Sequence, residues 1–193
     1  MSASATPARS RRFGTTAVAT PANFVTGARL VFAIPTLLLI ADRGASWLTV
    51  ILWFLLTSTD GLDGWLARRD GTTRSGAFLD PLADKILILG GFIALAVRGD
   101  VWWLPVALMA AREVFVSIYR SLAARRGISL PAKQLGKWKA FIQMIAVGIV
   151  LFPPTSDAHT LQVVVVWIAV ALTIVSALDI VRSGWVEARV ETP

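Results

Sequence analysis

Cysteine is absent and histidine occurs once, at His159. That excludes disulfides, Cys-ligated zinc, iron–sulfur clusters, thiol nucleophiles and any His-rich metal site. Charge is also scarce. Asp, Glu, Lys and Arg make up 16% of the chain, where an average soluble domain has ~25%. The balance is apolar: 55% of the 193 residues are hydrophobic and the mean hydropathy is +0.67. A soluble globule of this length has no interior large enough for that much apolar surface, and the same composition excludes a disordered chain. The expected solvent is therefore a bilayer. The charge that is present is lopsided, 19 basic against 12 acidic residues for a net +7. The basic residues are divided among short loops that flank apolar segments. This is the positive-inside pattern of a membrane protein and argues against a nucleic-acid partner.

Residues 1–20 are small, polar and basic, and read as a disordered tail that stays attached, because no 7–15-residue apolar core follows the basic region. Six apolar segments follow, near 24–42, 47–67, 78–98, 101–124, 137–153 and 159–181. Each is close to the ~20 residues that a helix needs to cross ~30 Å of hydrocarbon. They are too long for barrel strands and lack a period of two. The expected fold is an all-α integral membrane protein of six transmembrane helices. Residues 21–182 form the catalytic domain and 183–193 a short second tail. Arg9, Arg11, Arg12, Arg68, Arg69, Arg74, Arg125, Arg126, Lys133, Lys137, Arg182 and Arg189 fall on one side of the predicted spans, against only Arg43 and Arg98 on the other. Both termini are thus expected in the cytoplasm. Trp47, Trp65, Trp102, Trp103, Trp138 and Trp185 fit interfacial belts, where an anchoring role is enough to explain them.

Asp60, Asp63, Asp80, Asp84, Arg112, Arg120, Lys137 and Lys139 all fall toward the cytoplasmic ends of their segments. Ionisable groups inside membrane helices are expensive, and their gathering at one depth points to function. The densest stretch runs from Asp60 to Asp84. Asp60, Asp63, Gly64 and Ala67 share one helical face, and Asp80 and Asp84, four apart, share another. A short loop makes the two helices antiparallel neighbours, so four carboxylates can converge. Pro81 fits if the third helix starts close to Asp80, where N–H groups are spare. Four aspartates raise one another's pKa unless a cation compensates them. An all-oxygen donor set without His or Cys suits Mg²⁺ or Mn²⁺ and disfavours zinc; Ca²⁺ shares the preference. Four carboxylates can hold two ions bridged by a phosphate. Gly64 and Ala67 leave room for a ligand beside the backbone, and Arg68 can pair with a phosphate. Buried carboxylates that merely lock helices together are the bland alternative. It does not account for the accompanying Gly, Ala and Arg.

The pattern D-x2-D-G-x2-A-R-x7-G-x3-D-x3-D is filled at every fixed position between Asp60 and Asp84. It resembles the signature of the CDP-alcohol phosphotransferases, six-helix membrane enzymes that transfer a phosphatidyl group from a CDP-linked lipid to an alcohol and release CMP. The resemblance implies that Asp60, Asp63 and Asp80 are metal ligands and that Asp84 is both ligand and general base. It implies that Gly64, Ala67 and Arg68 contact the nucleotide. It also implies a homodimer in the plasma membrane of a bacterium, with membrane lipids around it and the active site toward the cytoplasm.

A second pattern lies further along. Arg112-Glu113 is followed by Arg120, ~80° further round the helix, and then by Lys133, Gly136, Lys137, Lys139 and Gln143. Cations facing four carboxylates suit an acceptor that carries its own phosphate. This arrangement, with Pro21, Asn23, Thr26 and Arg29 ahead of the first span, is similar to the bacterial phosphatidylglycerophosphate synthases across roughly residues 21–180. These use CDP-diacylglycerol and sn-glycerol 3-phosphate. Arg112, Arg120, Lys137 and Lys139 are then the candidates for binding the acceptor's phosphate, and Asn23 and Thr26 for approaching the nucleotide, although Asn and Thr also cap helices. Ala140-Phe141 departs from the small polar residue common in that group, and the loop 127–135 has no assigned place. Cardiolipin synthases, with phosphatidylglycerol as acceptor, and phosphatidylinositol-phosphate synthases share the first pattern and are the alternatives. A carboxylate-lined cation transporter would explain the aspartates but not Gly64, Ala67 and Arg68, and the chain shows no internal repeat of the kind transporters carry. Asp179 reads as a local partner of Arg182, and His159 is assigned no role.

Overall fold

A computed structural model of the chain describes residues 21–70, 74–127 and 134–190, with side-chain surroundings for 24–59, 82–127 and 134–185. Among the described residues there are six α-helices and no strand: α1 Pro21–Arg43, α2 Trp47–Asp70, α3 Arg74–Arg98, α4 Trp103–Arg125, α5 Gln134–Leu151 and α6 His159–Val190. A single 3-10 turn, Pro153–Thr155, precedes α6. The six expected apolar segments each fall within or closely overlap one helix. Two ends differ. α3 starts at Arg74, so Pro81 lies inside the helix rather than in its first turn. A proline there removes one backbone bond, which membrane helices tolerate where neighbours re-satisfy the freed carbonyl. α6 continues to Val190, beyond the expected boundary at residue 182.

The turns follow from local chemistry. Gly44 ends α1 at φ +63°, a left-handed conformation open to glycine, and a Cβ there would collide with the Arg98 side chain. Ser46 then starts α2. The Thr49 N–H donates to Ser46 Oγ at 3.2 Å, and the Ser46 N–H donates to Thr49 Oγ1 at 3.1 Å, a reciprocal cap. Gly99, at φ +93°, ends α3, and the Asp100 N–H donates to the Leu95 carbonyl at 2.9 Å. Arg98 Nη1 donates to the Asp42 carbonyl at 2.7 Å, and the Trp47 and Phe152 rings meet edge-on at 5.3 Å. These contacts gather the α1–α2, α3–α4 and α5–α6 connections at one end of the bundle. The opposite end is left to the polar groups.

α1 packs along both α2 and α3, while α6 packs on α5 and α4. The core between them holds Trp53, Phe92, Leu95, Met109, Val147 and Leu151, all buried. Trp53 Nε1 donates to the Met144 carbonyl at 3.0 Å, so its one polar atom is satisfied across α2 and α5. Gly91 allows this approach: a Cβ on it would lie 2.8 Å from the Trp53 ring. A smaller cluster of Val116, Ala177 and Ile180 with Tyr119 joins α4 to α6 near the polar end. Large apolar side chains such as Phe32, Leu38, Phe115, Ile118, Ile168 and Leu178 are exposed on the outside of the bundle. Phe24–Arg43 and His159–Trp185 are long and apolar enough to cross a membrane, and Trp47–Thr59 is a shorter apolar stretch. In α4 and α5 Arg112, Glu113, Arg120, Lys137 and Lys139 interrupt the apolar run.

Candidate active site

The polar end encloses a cavity of about 940 Å³ between α3, α4, α5 and α6. Asp84 and Lys85 supply one wall, Arg112, Glu113, Ser117 and Arg120 another, Lys137 and Lys139 a third, and Ser176 and Asp179 the fourth. Charged groups spread over 95 residues of sequence thus face one space. The cause is helical periodicity: Arg112, Glu113, Val116, Ser117 and Arg120 recur at spacings of three and four along one stripe of α4.

Asp84 sits on α3 with its side chain 42% exposed, on the cavity wall. One oxygen accepts a hydrogen bond from Arg29 Nη1 at 3.1 Å. Arg29 comes from α1, its side chain is 1% exposed, and its Nε donates to Thr59 Oγ1 at 3.2 Å. A buried guanidinium therefore ties Asp84 to the residue directly before Asp60. Thr26, one turn earlier on α1, is fully buried. Asp60, Asp63, Gly64, Ala67 and Arg68 belong to α2, Asp80 to α3 and Asn23 to α1, and their side chains lie outside the described residues. Among the described residues no group of three or more potential metal ligands converges. The donor at hand fits a hard divalent cation all the same. Asp84 offers a carboxylate open to the cavity, and the described cavity walls carry no imidazole or thiol.

The basic wall divides in two. Arg112 is held at three points: Nε donates to the Thr173 carbonyl at 3.0 Å, Nη1 to Glu113 Oε1 at 2.8 Å, and Nη2 to Ser176 Oγ. Lys139 is buried and donates to the same Glu113 oxygen. Lys85 Nζ donates to Ser117 Oγ at 2.6 Å and stands 4.0 Å from the second Glu113 oxygen. Arg120 and Lys137 differ. The Arg120 Nε is buried without a hydrogen-bond partner among the described residues, and Lys137 is exposed. All four cations singled out in the sequence line the cavity together with Asp84.

Several wall residues carried no role in the sequence reading. Ser117 follows from the same four-residue spacing on α4, and Lys85 is the neighbour of Asp84 on α3. Ser176, and Thr173 buried behind the wall, were legible only as polar breaks in the long apolar run of α6. Asp179 lines the cavity. His159 lies with Trp102, Trp103 and Trp167 around a second cavity of about 430 Å³, separate from the first.

An all-helical bundle with an aspartate, a buried arginine and a cation-walled cavity at one end suits chemistry on phosphate esters at a membrane. The chain belongs to the CDP-alcohol phosphatidyltransferase family, whose sequence profile matches residues 19–175. That is a membrane-embedded family. The chain is 37% identical over 185 residues to a probable phosphatidylglycerophosphate synthase of Mycobacterium tuberculosis, covering 92% of this chain and 88% of the relative. It is 33% identical over 142 residues to a CDP-diacylglycerol–glycerol-3-phosphate 3-phosphatidyltransferase of Haemophilus influenzae, covering 71% and 77%. A protein of the same description from Yersinia enterocolitica is 36% identical over 146 residues, covering 73% and 80%.

Proposed function

We infer that this protein transfers the phosphatidyl group of CDP-diacylglycerol to sn-glycerol 3-phosphate, forming phosphatidylglycerophosphate and releasing CMP. The names of its relatives favour this acceptor over phosphatidylglycerol or inositol phosphate. The observation that carries the reading is the cavity in which Asp84 and the cations of α4 and α5 face one another. A phosphorylated alcohol needs both, a carboxylate near its hydroxyl and cations near its phosphate.

In this reading Asp60, Asp63, Asp80 and Asp84 hold divalent ions, Mg²⁺ or Mn²⁺ and two in number. When bound, such ions neutralise the pyrophosphate of the donor and the charge that develops on the departing CMP. Gly64, Ala67 and Arg68, with Asn23 and Thr26 from α1, seat the nucleotide. Arg120, Lys137, Lys139 and Arg112 form the basic wall for the acceptor. Asp84 takes the proton of the acceptor hydroxyl. That oxygen attacks the lipid-side phosphorus, the phosphorus–oxygen bond to CMP breaks, and CMP leaves with the electron pair. Arg29 holds the other side of Asp84 fixed during this exchange. The protein works as a homodimer of six-span subunits in the bacterial plasma membrane, with the polar end in the cytoplasm.

The test is CMP release by purified protein given CDP-diacylglycerol and Mg²⁺, with glycerol 3-phosphate, inositol phosphate and phosphatidylglycerol compared as acceptors. Release that requires glycerol 3-phosphate supports the reading. Release with another acceptor alone would move the protein elsewhere in its family. No release with folded protein would count against the transfer reaction.

A further inference from the structure

A cavity with cations throughout would bind a phosphorylated alcohol in either direction. Only one direction brings the hydroxyl to Asp84. The structure shows how the two parts of the cavity differ. A narrower recess of about 180 Å³ is walled by Asp84, Lys85, Glu113, Lys139 and Gln143, and neither Arg120 nor Lys137 lines it. In that recess the cations are already occupied. Lys139 donates to one Glu113 oxygen, which also accepts from Arg112 outside the recess, and Lys85 lies 4.0 Å from the other. The Gln143 amide nitrogen is engaged as well, donating to Thr173 Oγ1 at 3.1 Å. Outside the recess Arg120 keeps a buried Nε with no partner among the described residues, and Lys137 is exposed. Arg120 is seven residues beyond Glu113 on α4, about 10 Å along the helix axis.

We propose that Glu113 sets the direction in which the acceptor binds. Its carboxylate, together with that of Asp84, offsets the positive charge of Lys85 and Lys139 in the recess, so the acceptor's phosphate goes to Arg120 and Lys137 and its hydroxyl is left at Asp84. Glu113 is a positioning residue: it touches no reacting atom and acts through the cations it holds. Arg112 braces α4 against α6 through its bonds to Thr173, Ser176 and Glu113, which fixes its place in the basic wall. The proposal rests on the reading of this cavity as the acceptor's seat. It assigns the cations within that seat to two different tasks.

The test uses inorganic phosphate as a probe. In Glu113→Gln the two lysines of the recess, Lys85 and Lys139, lose a counter-charge and attract an anion. Inhibition by phosphate, competitive with glycerol 3-phosphate, should strengthen by about tenfold, a change on the order of 1.4 kcal/mol. KM for CDP-diacylglycerol should stay within about twofold. Glu113→Asp keeps the charge and should inhibit like the parent. An unchanged phosphate constant in Glu113→Gln, with only a lower rate, would overturn the proposal, as would a gain of the same size in Glu113→Asp. The same shift is read without turnover as a larger phosphate-dependent rise in melting temperature for Glu113→Gln than for the parent. Equal phosphate stabilisation in the two would sink the role of Glu113 alone, whereas a parent that releases no CMP would sink the transfer reading. Should Glu113→Gln fail to fold, Lys85→Gln probes the balance from the other side, at a half-exposed residue. Its KM for glycerol 3-phosphate should stay within about twofold. A rise of tenfold would place the acceptor's phosphate beside Asp84 and overturn the proposal.

Discussion

Asp84 and Arg112 show what single side chains do here. Asp84→Asn keeps the shape and the hydrogen bond to Arg29 but cannot accept a proton. Acceptor-dependent CMP release should fall by about 10²–10⁴-fold, the range for loss of a general base, and the melting temperature should fall too, because the buried Arg29 loses a counter-charge. Arg112→Lys keeps the charge but not the three-way fork. A lysine cannot satisfy Thr173, Ser176 and Glu113 together, so a melt of the variant should show a loss of about 1–3 kcal/mol from groups left unpaired. Arg29→Gln removes the buried link between α1, Thr59 and Asp84. It should lower both stability and rate, seen as a lower melting temperature with folded protein still recoverable. The sequence marked Asp84 and Arg112 equally as candidates. It could not separate a carboxylate held by α1 from a guanidinium braced across α4 and α6, because hydrogen-bond pairing depends on helices up to sixty residues away.

Helix-level behaviour turns on how closely the helices approach. Gly91 lets α3 meet the buried Trp53 of α2, and Gly148 lets α5 meet Phe54. Trp53 is fully buried and anchored by its hydrogen bond to Met144, whereas Phe54 is 38% exposed. A methyl group at the first site has nowhere to push its neighbour. Gly91→Ala should therefore cost about 1–3 kcal/mol by overpacking, and Gly148→Ala clearly less, since the Phe54 ring can turn outward. Thermal unfolding of the two variants in one detergent checks the order, and equal losses would contradict it. The number and extent of the helices were readable from apolar run length and from the turn residues Gly44, Ser46 and Gly99. The start of α3 was not. Pro81 suggested a helix beginning near Asp80, yet six residues before Asp80 are already helical, because one missing backbone bond is a small loss against a whole turn of helix.

The bundle as a unit has one polar end and one end tied by Arg98, Asp42, Trp47 and Phe152. If the polar end lies in the cytoplasm, probes at the two ends must label from opposite sides. The absence of native cysteine makes the experiment clean. A single cysteine at Arg126 should react with an impermeant thiol reagent only in inverted vesicles, and one at Ser156 only in intact cells. The reverse pattern would place the cavity outside.

Composition, run length and charge distribution were enough to show a helical membrane protein, and the Asp60–Asp84 pattern was enough to place its family, since both rest on local spacing that a helix preserves. The existence of a basic wall was equally legible, because positions 112 and 120 keep their relation on any helix. Which cations remain open to a ligand was not. That depended on Glu113, Thr173 and Ser176 arriving from α4 and α6 at the same point, and pairing across helices is set by packing rather than by distance along the chain.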